Sequence, residues 1–311
     1  MLTRVKPLLR KIFEFFFPYY LFVTGKIRNV KKASSEGKVI LSVFFHNPKK
    51  DLFESLIKWF IENHYNFISV DQLYEIYAKD KPFPVNAVLL TVDDGWKENK
   101  DNLVAVANKY NIPVTIFINT DPIKNGDGYW VSYLNHKSIQ TVKSHSVDSL
   151  KKINNSDRVK IIDELKSMIS IPREALTIDE LKKIQSANIS LGAHTITHPF
   201  LVKCTDEEAQ HEIKGSRDIL ENWLGSKVDT FAYPFGNYGD RELALVKAAG
   251  YKMAFSTISD YITKESIKGI YKIPRFEVVE TASVLENICR MTGAWYEIES
   301  KFKKAISKQL L

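Results

Sequence analysis

The amino-acid sequence predicts an α/β protein, a distorted (β/α)7–8 barrel with an insertion at its rim and helical extensions at both ends. Three observations predict this fold. The 311 residues exceed one average domain but suit a single α/β barrel with attached segments. Apolar strand-like runs alternate with helical stretches, which favours a parallel sheet with crossover helices. Polar residues recur at the ends of those runs, where barrel enzymes build their active sites.

The composition is typical of a globular protein. Its 44% hydrophobic and 26% charged residues exclude collagen-like and disordered classes. The two cysteines, Cys204 and Cys289, are too few for a disulfide framework and fit a reducing compartment. The net charge of +7 arises in residues 1–33, which hold eight basic residues and one acidic residue. Because the rest of the chain is neutral, a nucleic-acid-binding groove across the fold is not expected.

Residues 1–37 form a basic, aromatic N-terminal segment. Read as a helix over 2–17, the segment has an apolar face flanked by basic residues, a pattern typical of a helix lying on anionic lipid. Its apolar run over 12–23 is too short to span a bilayer and contains Glu14 and Pro18. The alternative is packing on the barrel or on a second subunit. Since no convincing export signal is present, we expect a cytoplasmic protein, peripheral on the inner membrane face.

The barrel itself is predicted over 38–280. Continuous runs of β-formers such as VILSVFF and AVLLTV indicate strands buried on both faces. The predicted strands are 39–45, 67–69, 87–92, 114–118, 189–193, 230–233, 253–256 and 273–278. The predicted helices are 52–63, a helix capped by Asp71 and reaching 77, 103–110, a helix opened by a Thr177–Glu180 capping box and reaching 185, 207–224 and 241–249. A C-terminal helical extension follows over 281–311.

Residues 121–170 interrupt this alternation and are predicted to form an insertion at the active-site rim, with a helix near 159–168. Trp130 and Tyr133 within it could stack on a sugar face, or could simply tether the loop. The insertion is therefore a candidate determinant of substrate specificity.

Two groups of metal-binding side chains follow predicted strands. Asp93 and Asp94 are adjacent, so their side chains point in different directions and one can bind a metal while the other stays free. His194 and His198 lie four residues apart, and a helix or turn would bring both imidazoles to one side. Two histidines with one aspartate hold Zn²⁺ or a similar ion and leave positions open for water and substrate. Both groups lie at strand ends, which favours a metal site over ordinary polar packing.

Three motifs, in order, resemble those of the polysaccharide deacetylase family, carbohydrate esterase family four. TVDDGW at 91–96 resembles the family's T-F-D-D-G, HTITHP at 194–199 resembles H-[ST]-x-x-H-P, and FAYPFGNY at 231–238 resembles the F-A-Y-P-[YF]-G form of one subgroup. The likeness extends from about 39 to 278. It implies a metal-dependent hydrolase that removes the N-acetyl group of an amino sugar.

The resemblance also implies roles for individual residues. Asp94, His194 and His198 would be the metal ligands and Asp93 the general base. One divalent metal, expected to be zinc, with cobalt, nickel, manganese or iron as alternatives, would polarise the amide carbonyl and acidify a water. The backbone N–H of Phe235 would donate to the oxyanion.

Two positions depart from the commoner pattern of the family. Ala232 stands where the third motif often has arginine, and Arg275 resembles the substitute arginine of the subgroup, which would orient Asp93; a simple rim salt bridge is the alternative. The family's C-terminal L-x-His has no counterpart, since no histidine follows His211. His46, after the first strand, resembles the subgroup's acid histidine and would protonate the leaving nitrogen; a capping or core histidine is the alternative.

We further predict substrate contacts at four aromatic residues, Trp96, Trp130, Tyr233 and Tyr238. The other histidines, namely His64, His136, His145 and His211, are expected to be surface residues. Cys204 is expected to be a small buried residue and not a nucleophile.

The predicted function is hydrolysis of an N-acetylated sugar in a polysaccharide, an oligosaccharide or a lipid-linked glycan, with release of acetate. A lipid-linked substrate would follow if the N-terminal segment docks on membrane. One alternative is another amide hydrolase, such as a deformylase acting on a lipid-linked amino sugar, which would release formate. The other is a non-catalytic carbohydrate-binding or scaffolding protein.

Overall fold

The computed structural model describes residues 16–21, 23–140 and 145–296. It confirms the predicted α/β fold, and each predicted strand is present within three residues of its expected bounds. The strands are β1 (Leu41–Phe45), β2 (Asn66–Ile68), β3 (Ala87–Val92), β4 (Val114–Ile118), β5 (Ile189–Ala193), β6 (Thr230–Ala232), β7 (Met253–Phe255) and β8 (Phe276–Glu277).

The strands form one curled sheet in the order β7-β6-β5-β4-β3-β1-β8, with β2 paired to the first half of β3. Every pairing is parallel. Between β7 and β8 the ring is completed by the segment before β8: Ile273 bridges Phe255, and the N–H of Ser256 donates to the carbonyl of Ile273 at 2.8 Å. Because all strands run the same way, their carboxyl ends meet at one rim.

Helices surround the sheet and form the insertion at its rim. They are α1 (Lys26–Ser35), α2 (Lys50–Glu62), α3 (Val70–Ala78), α4 (Ala105–Tyr110), α5 (Thr120–Asn125), α6 (Trp130–Asn135), α7 (Lys137–Gln140), α8 (Val147–Leu150), α9 (Asn155–Met168), α10 (Ile178–Ile184), α11 (Asp206–Leu224), α12 (Asp240–Ala248) and α13 (Val284–Met291). A π-helical turn (Lys100–Val104) leads into α4.

Capping chemistry sets two of the helix starts. The Thr177–Glu180 capping box opens α10 as expected. Asp71 does not cap α3: the cap is Ser69, whose hydroxyl accepts the N–H of Gln72 while the Gln72 side chain accepts the N–H of Ser69. The reciprocal pair satisfies two amide groups that a cap at Asp71 would have left without partners.

Two apolar layers enclose the sheet, and side-chain alternation divides each strand between them. On β3, Val88 and Leu90 pack in the helix-facing core, whereas Ala87 and Leu89 pack in the barrel interior. Asp93 continues the second series by its position in the sequence. The alternation therefore directs Asp93 toward the barrel interior at the rim formed by the carboxyl ends of the strands.

The insertion and the terminal segments have their own packing. Helices α5 to α9 occupy the predicted insertion, whose buried residues, including Tyr133 and Leu165, cluster with Phe200. Phe17 packs on Trp295 with ring centroids 5.0 Å apart, so the segments flanking the barrel touch each other. Most of the predicted helix over 2–17 and the end of the C-terminal extension lie outside the described residues. Within the described part of the chain, no helix has the length and apolarity needed to span a membrane.

Candidate active site

The three predicted metal ligands converge at the rim. Asp94 follows β3, and His194 and His198 follow β5. The Nε2 atoms of His194 and His198 lie 3.7 and 3.6 Å from Oδ1 of Asp94. One ligand atom from each residue lies within 4.8 Å of the others. Two imidazole nitrogens and one carboxylate oxygen at this spacing fit a single divalent cation.

The loop between the two histidines is a turn with left-handed backbone at Thr195 (φ 67°) and His198 (φ 52°). The Nδ1 atom of His194 lies 2.8 Å from the carbonyl oxygen of Ala232, which leaves Nε2 facing the other ligands. Burial, together with His194 and Arg158, holds the pKa of His198 well below its usual value, so its imidazole is neutral as a ligand must be.

The Glu212 carboxylate on α11 stabilises the same turn through hydrogen bonds. It accepts the backbone N–H groups of Ile196 and Thr197 at 2.8 and 2.9 Å and the Thr197 hydroxyl at 2.6 Å. Glu212 is buried. A buried carboxylate satisfied in this way fixes the turn that carries both imidazoles.

Asp93 and Arg275 form a buried bidentate pair. Nη1 and Nη2 of Arg275 donate to Oδ1 and Oδ2 of Asp93 at 2.7 and 2.8 Å. Burial would raise the pKa of Asp93, but the charges of Arg275 and His194 outweigh it and the pKa is lowered. Arg275 therefore lies where it keeps Asp93 ionised and holds its carboxylate plane in one orientation.

His46 directly follows β1, lies near this pair and is partly exposed. Its backbone N–H donates to Glu280 Oε1 at 2.9 Å, and its carbonyl accepts the Asn99 amide at 3.1 Å. Burial would lower the pKa of His46, but the carboxylates of Asp94, Asp93, Glu280 and Glu277 act more strongly and raise it. The raised pKa favours the protonated imidazole, which is the form that a proton donor requires.

A cavity of about 630 Å³ joins these groups. Its lining includes the predicted ligands, Asp93 and His46, together with the predicted residues Trp96, Trp130 and Phe235. Phe235 has left-handed backbone (φ 57°), and its ring lies 4.6 Å from that of His198. The volume is in the range of small-molecule sites.

One predicted substrate contact, Tyr233, is wrong, and a second, Tyr238, lies outside the cavity lining. Tyr233 is 0% exposed and packs in the helix-facing core, with its hydroxyl donated to the Tyr271 carbonyl at 3.0 Å. Tyr238 packs on Tyr233, at 5.0 Å between ring centroids, and is not among the residues that line the cavity. Alternation along β6 explains the error, because Ala232 faces the barrel interior and its neighbour Tyr233 must face the helices.

The cavity lining also includes residues that the sequence interpretation missed. Glu277 is the last residue of β8 and Glu280 follows soon after it, so the strand-end rule that selected Asp93 could have selected them too. Tyr129 and Lys151 come from the insertion and had no such signal. None of His64, His136, His145 and His211 is among the described residues that line the cavity. Cys204 is buried, which raises its thiol pKa to about 12.

Comparison with known proteins identifies relatives that match most of the chain. Residues 80–254 match the family model described as polysaccharide deacetylase. The chain is 23% identical over 231 residues to YxkH of Bacillus subtilis strain 168, named as a candidate polysaccharide deacetylase; this covers 74% of the chain and 65% of YxkH, under two thirds of its length. It is 25% identical over 264 residues to the poly-beta-1,6-N-acetyl-D-glucosamine N-deacetylase of Staphylococcus aureus strain MRSA252, covering 82% of the chain and 78% of that protein.

Solved structures agree on the fold. The Streptococcus pyogenes deacetylase PplD, in complex with acetate, superposes with a TM-score of 0.61 at 18% identity, covering 81% of this chain and 98% of that one. IcaB from Ammonifex degensii superposes with a TM-score of 0.59 at 14% identity, covering 82% of this chain and 97% of that one. At these identities the likeness establishes the fold.

Proposed function

The chain belongs to the polysaccharide deacetylase family, and on that premise we propose that it hydrolyses the N-acetyl group of an amino sugar in a polysaccharide or oligosaccharide and releases acetate. The observation that carries the proposal is the convergence of the Asp94, His194 and His198 ligand atoms within 4.8 Å of one another, in one cavity with Asp93, whose carboxylate is paired with Arg275 behind the cavity wall.

In the proposed reaction the chain's own residues move the protons. A bound divalent cation would polarise the amide carbonyl and increase the acidity of water. Asp93, kept ionised by Arg275, accepts a proton from the attacking water. His46 gives a proton to the leaving nitrogen, and the backbone N–H of Phe235 stabilises the negative charge on the carbonyl oxygen. The raised pKa of His46 and the lowered pKa of Asp93 support this division of roles.

The metal in this proposal is zinc. Two neutral imidazoles and one carboxylate, with open positions toward a cavity, are a ligand set that suits catalytic zinc, although Co²⁺, Ni²⁺, Mn²⁺ and Fe²⁺ accept similar ligands. Metal analysis of Asp94→Ala and His198→Ala should show loss of bound metal. Full metal retention in both variants would contradict the ligand assignment.

The proposed substrate is a polymer or oligomer of N-acetylglucosamine, an assignment supported by the relative that acts on poly-β-1,6-N-acetylglucosamine. The test incubates the zinc-loaded protein with such oligosaccharides and measures acetate by an enzymatic assay. Asp93→Asn should keep the metal but lower the rate by about 10²- to 10⁴-fold, because the base is lost. A fully active Asp93→Asn protein would remove Asp93 from its role, and release of formate from a formylated amino sugar would instead indicate a deformylase.

For the cellular location, we propose that the N-terminal segment lies on the inner face of an anionic membrane, which would bring a lipid-linked glycan within reach. Tyr19, Tyr20 and Val23 are 60%, 55% and 58% exposed, and the surrounding residues 1–33 carry the net positive charge of the chain. Exposed aromatic side chains beside basic ones suit a lipid interface.

The test is co-sedimentation with phosphatidylglycerol vesicles. Tyr19→Ser, Tyr20→Ser and Val23→Ser combined should weaken binding, and they spare the buried residues Leu21 and Ile27 that a deletion would remove. Binding that is unchanged in the triple variant would refute the membrane proposal and leave the hydrolase proposal intact.

A further inference from the structure

Three aromatic side chains around the cavity donate hydrogen bonds to two of the proposed metal ligands. The Trp96 indole N–H donates to Asp94 Oδ2 at 3.1 Å. The Tyr129 hydroxyl donates to the Asp94 carbonyl at 3.0 Å, and the Trp130 indole N–H donates to the His198 carbonyl at 3.1 Å. We call Trp96, Tyr129 and Trp130 the aromatic trio.

Each ligand that the trio contacts has an unfavourable backbone conformation. Asp94 has φ 77° and His198 has φ 52°, in the left-handed region that costs energy for residues other than glycine. A hydrogen bond from the trio holds the carbonyl of each. These bonds stabilise the two peptides in the conformation that turns the side chains toward each other.

The Trp96 bond also fixes the rotation of the Asp94 carboxylate. With Oδ2 held by the indole, Oδ1 is the oxygen that faces Nε2 of both histidines, at 3.7 and 3.6 Å. A carboxylate without that donor could rotate about its terminal bond and lose this geometry. Removing a hydrogen-bond donor to the ligand atom that does not coordinate the metal typically changes the metal affinity.

The trio is itself rigid. Tyr129 and Trp130 are both 6% exposed, and the rings of Trp96 and Tyr129 are 4.4 Å apart between centroids. The Tyr129 N–H donates to Glu174 Oε2 at 2.9 Å, and the Arg158 guanidinium lies 5.4 Å from the Trp130 ring. Because so little of the Tyr129 and Trp130 rings is exposed, hydrogen bonding to the metal ligands explains their positions better than stacking on a sugar does.

We propose that Trp96, Tyr129 and Trp130 are positioning residues that set the affinity of the metal site, and that Tyr129 and Trp130 couple the order of the insertion to metal binding. The inference rests on the metal site of the proposed function. Tyr129 precedes α6 and Trp130 is its first residue. These two adjacent residues donate hydrogen bonds to Asp94 and His198, two ligands that lie in different loops. By thermodynamic linkage, an ordered insertion that favours metal binding must in turn be stabilised by the metal.

The experiment measures the dissociation constants of Zn²⁺ and Co²⁺ by competition with a chromogenic chelator. Trp96→Phe and Tyr129→Phe keep the rings but remove the donors, and each should weaken metal binding about 10- to 100-fold. The matched controls are Trp59→Phe on α2 and Tyr251→Phe, which removes a buried hydroxyl donated to the Ile213 carbonyl at 2.9 Å. Both controls should bind metal as the unmodified protein does.

Two further readouts separate positioning from a general loss of structure. The visible spectrum of the Co²⁺-loaded Trp96→Phe protein should change at saturating metal, because the carboxylate geometry changes. In hydrogen exchange, Zn²⁺ should protect residues 129–135 in the unmodified protein and protect them less in Tyr129→Phe.

If the unmodified protein binds metal and both Phe variants bind it equally well, the inference is wrong. If the variants lose affinity while the unmodified protein releases no acetate from any amino sugar, the proposed function fails and the inference stands. A protein that binds no divalent metal at all would overturn both.

Discussion

At the scale of single residues, Arg275 is fully buried, which is rare for arginine. Its Nε donates to the Ser256 carbonyl at 2.9 Å, and Nη1 also donates to the Thr91 hydroxyl at 3.0 Å. The rings of Phe44 and Phe117 lie 4.5 and 5.5 Å from the guanidinium. With four hydrogen bonds from its five N–H groups and with aromatic rings against its planar faces, the guanidinium is tolerated inside the barrel.

Replacing Arg275 by methionine should lower the free energy of unfolding at neutral pH by about 3–5 kcal/mol, because Asp93 would be left buried and unpaired. Since the pKa of Asp93 is lowered in the folded protein, the contribution of the pair is complete above the unfolded value of about 3.9 and disappears as the pH falls through the folded value. Urea unfolding of both proteins between neutral and acid pH should therefore show the difference narrowing in acid. A constant difference would mean that the loss is only one of packing.

Glu280 should control the protonation of His46. Glu280→Gln removes one of the carboxylates that raise the His46 pKa, while the amide oxygen still accepts the N–H groups of His46 and Asn47. The pKa of His46 should fall, so the alkaline limb of the kcat/KM profile should move to lower pH. Glu265→Gln, in an exposed ion pair with Lys268, is the control. An alkaline limb that stays in place in Glu280→Gln would argue against His46 as the acid.

At the scale of the elements, the barrel strands could be predicted because they are apolar on both faces, and strand ends therefore located Asp93, His194 and His46. The sequence did not reveal how the elements meet. The π-helical turn before α4 has no distinct sequence pattern. The residue that precedes this turn, Asn99, is buried and donates a hydrogen bond to the His46 carbonyl, and nothing in the sequence indicates that contact. The hydrogen bonds from Tyr129 and Trp130 could not be predicted from the sequence either, because only tertiary packing brings the insertion to the proposed metal ligands.

The insertion should loosen independently of the barrel, since most of its buried residues cluster with Phe200, separately from the two cores of the barrel. Leu165 on α9 is fully buried there, and Leu165→Ala should cost about 2–5 kcal/mol locally. Hydrogen exchange should become faster over residues 130–168 while β3 and β4 stay protected. Leu73→Ala, in the interior core, is the contrasting variant and should affect the strands. Uniform loss of protection in Leu165→Ala would mean that the insertion and the barrel unfold together.

At the scale of the whole molecule, the ligands come from loops after β3 and β5, and a bound metal would tie these parts together. Removing metal with a chelator should abolish acetate release reversibly and lower the melting temperature. A ligand at 100 times its dissociation constant stabilises the folded state by about 2.7 kcal/mol. Calorimetry with and without chelator, followed by Zn²⁺ addition, checks this. An unchanged melting temperature in a protein that is shown to bind zinc would contradict the linkage.

Among the described residues β7 and β8 do not pair directly, and the segment around Ile273 joins these neighbours at a seam in the ring. Arg275 sits at this seam and reaches across the interior from the Ser256 carbonyl to Asp93 beside β3. The guanidinium thus connects two sides of the barrel and also pairs with Asp93, the proposed base. A substitution of Arg275 that alters proton transfer at Asp93 would therefore also remove a link between the segment after β7 and the end of β3.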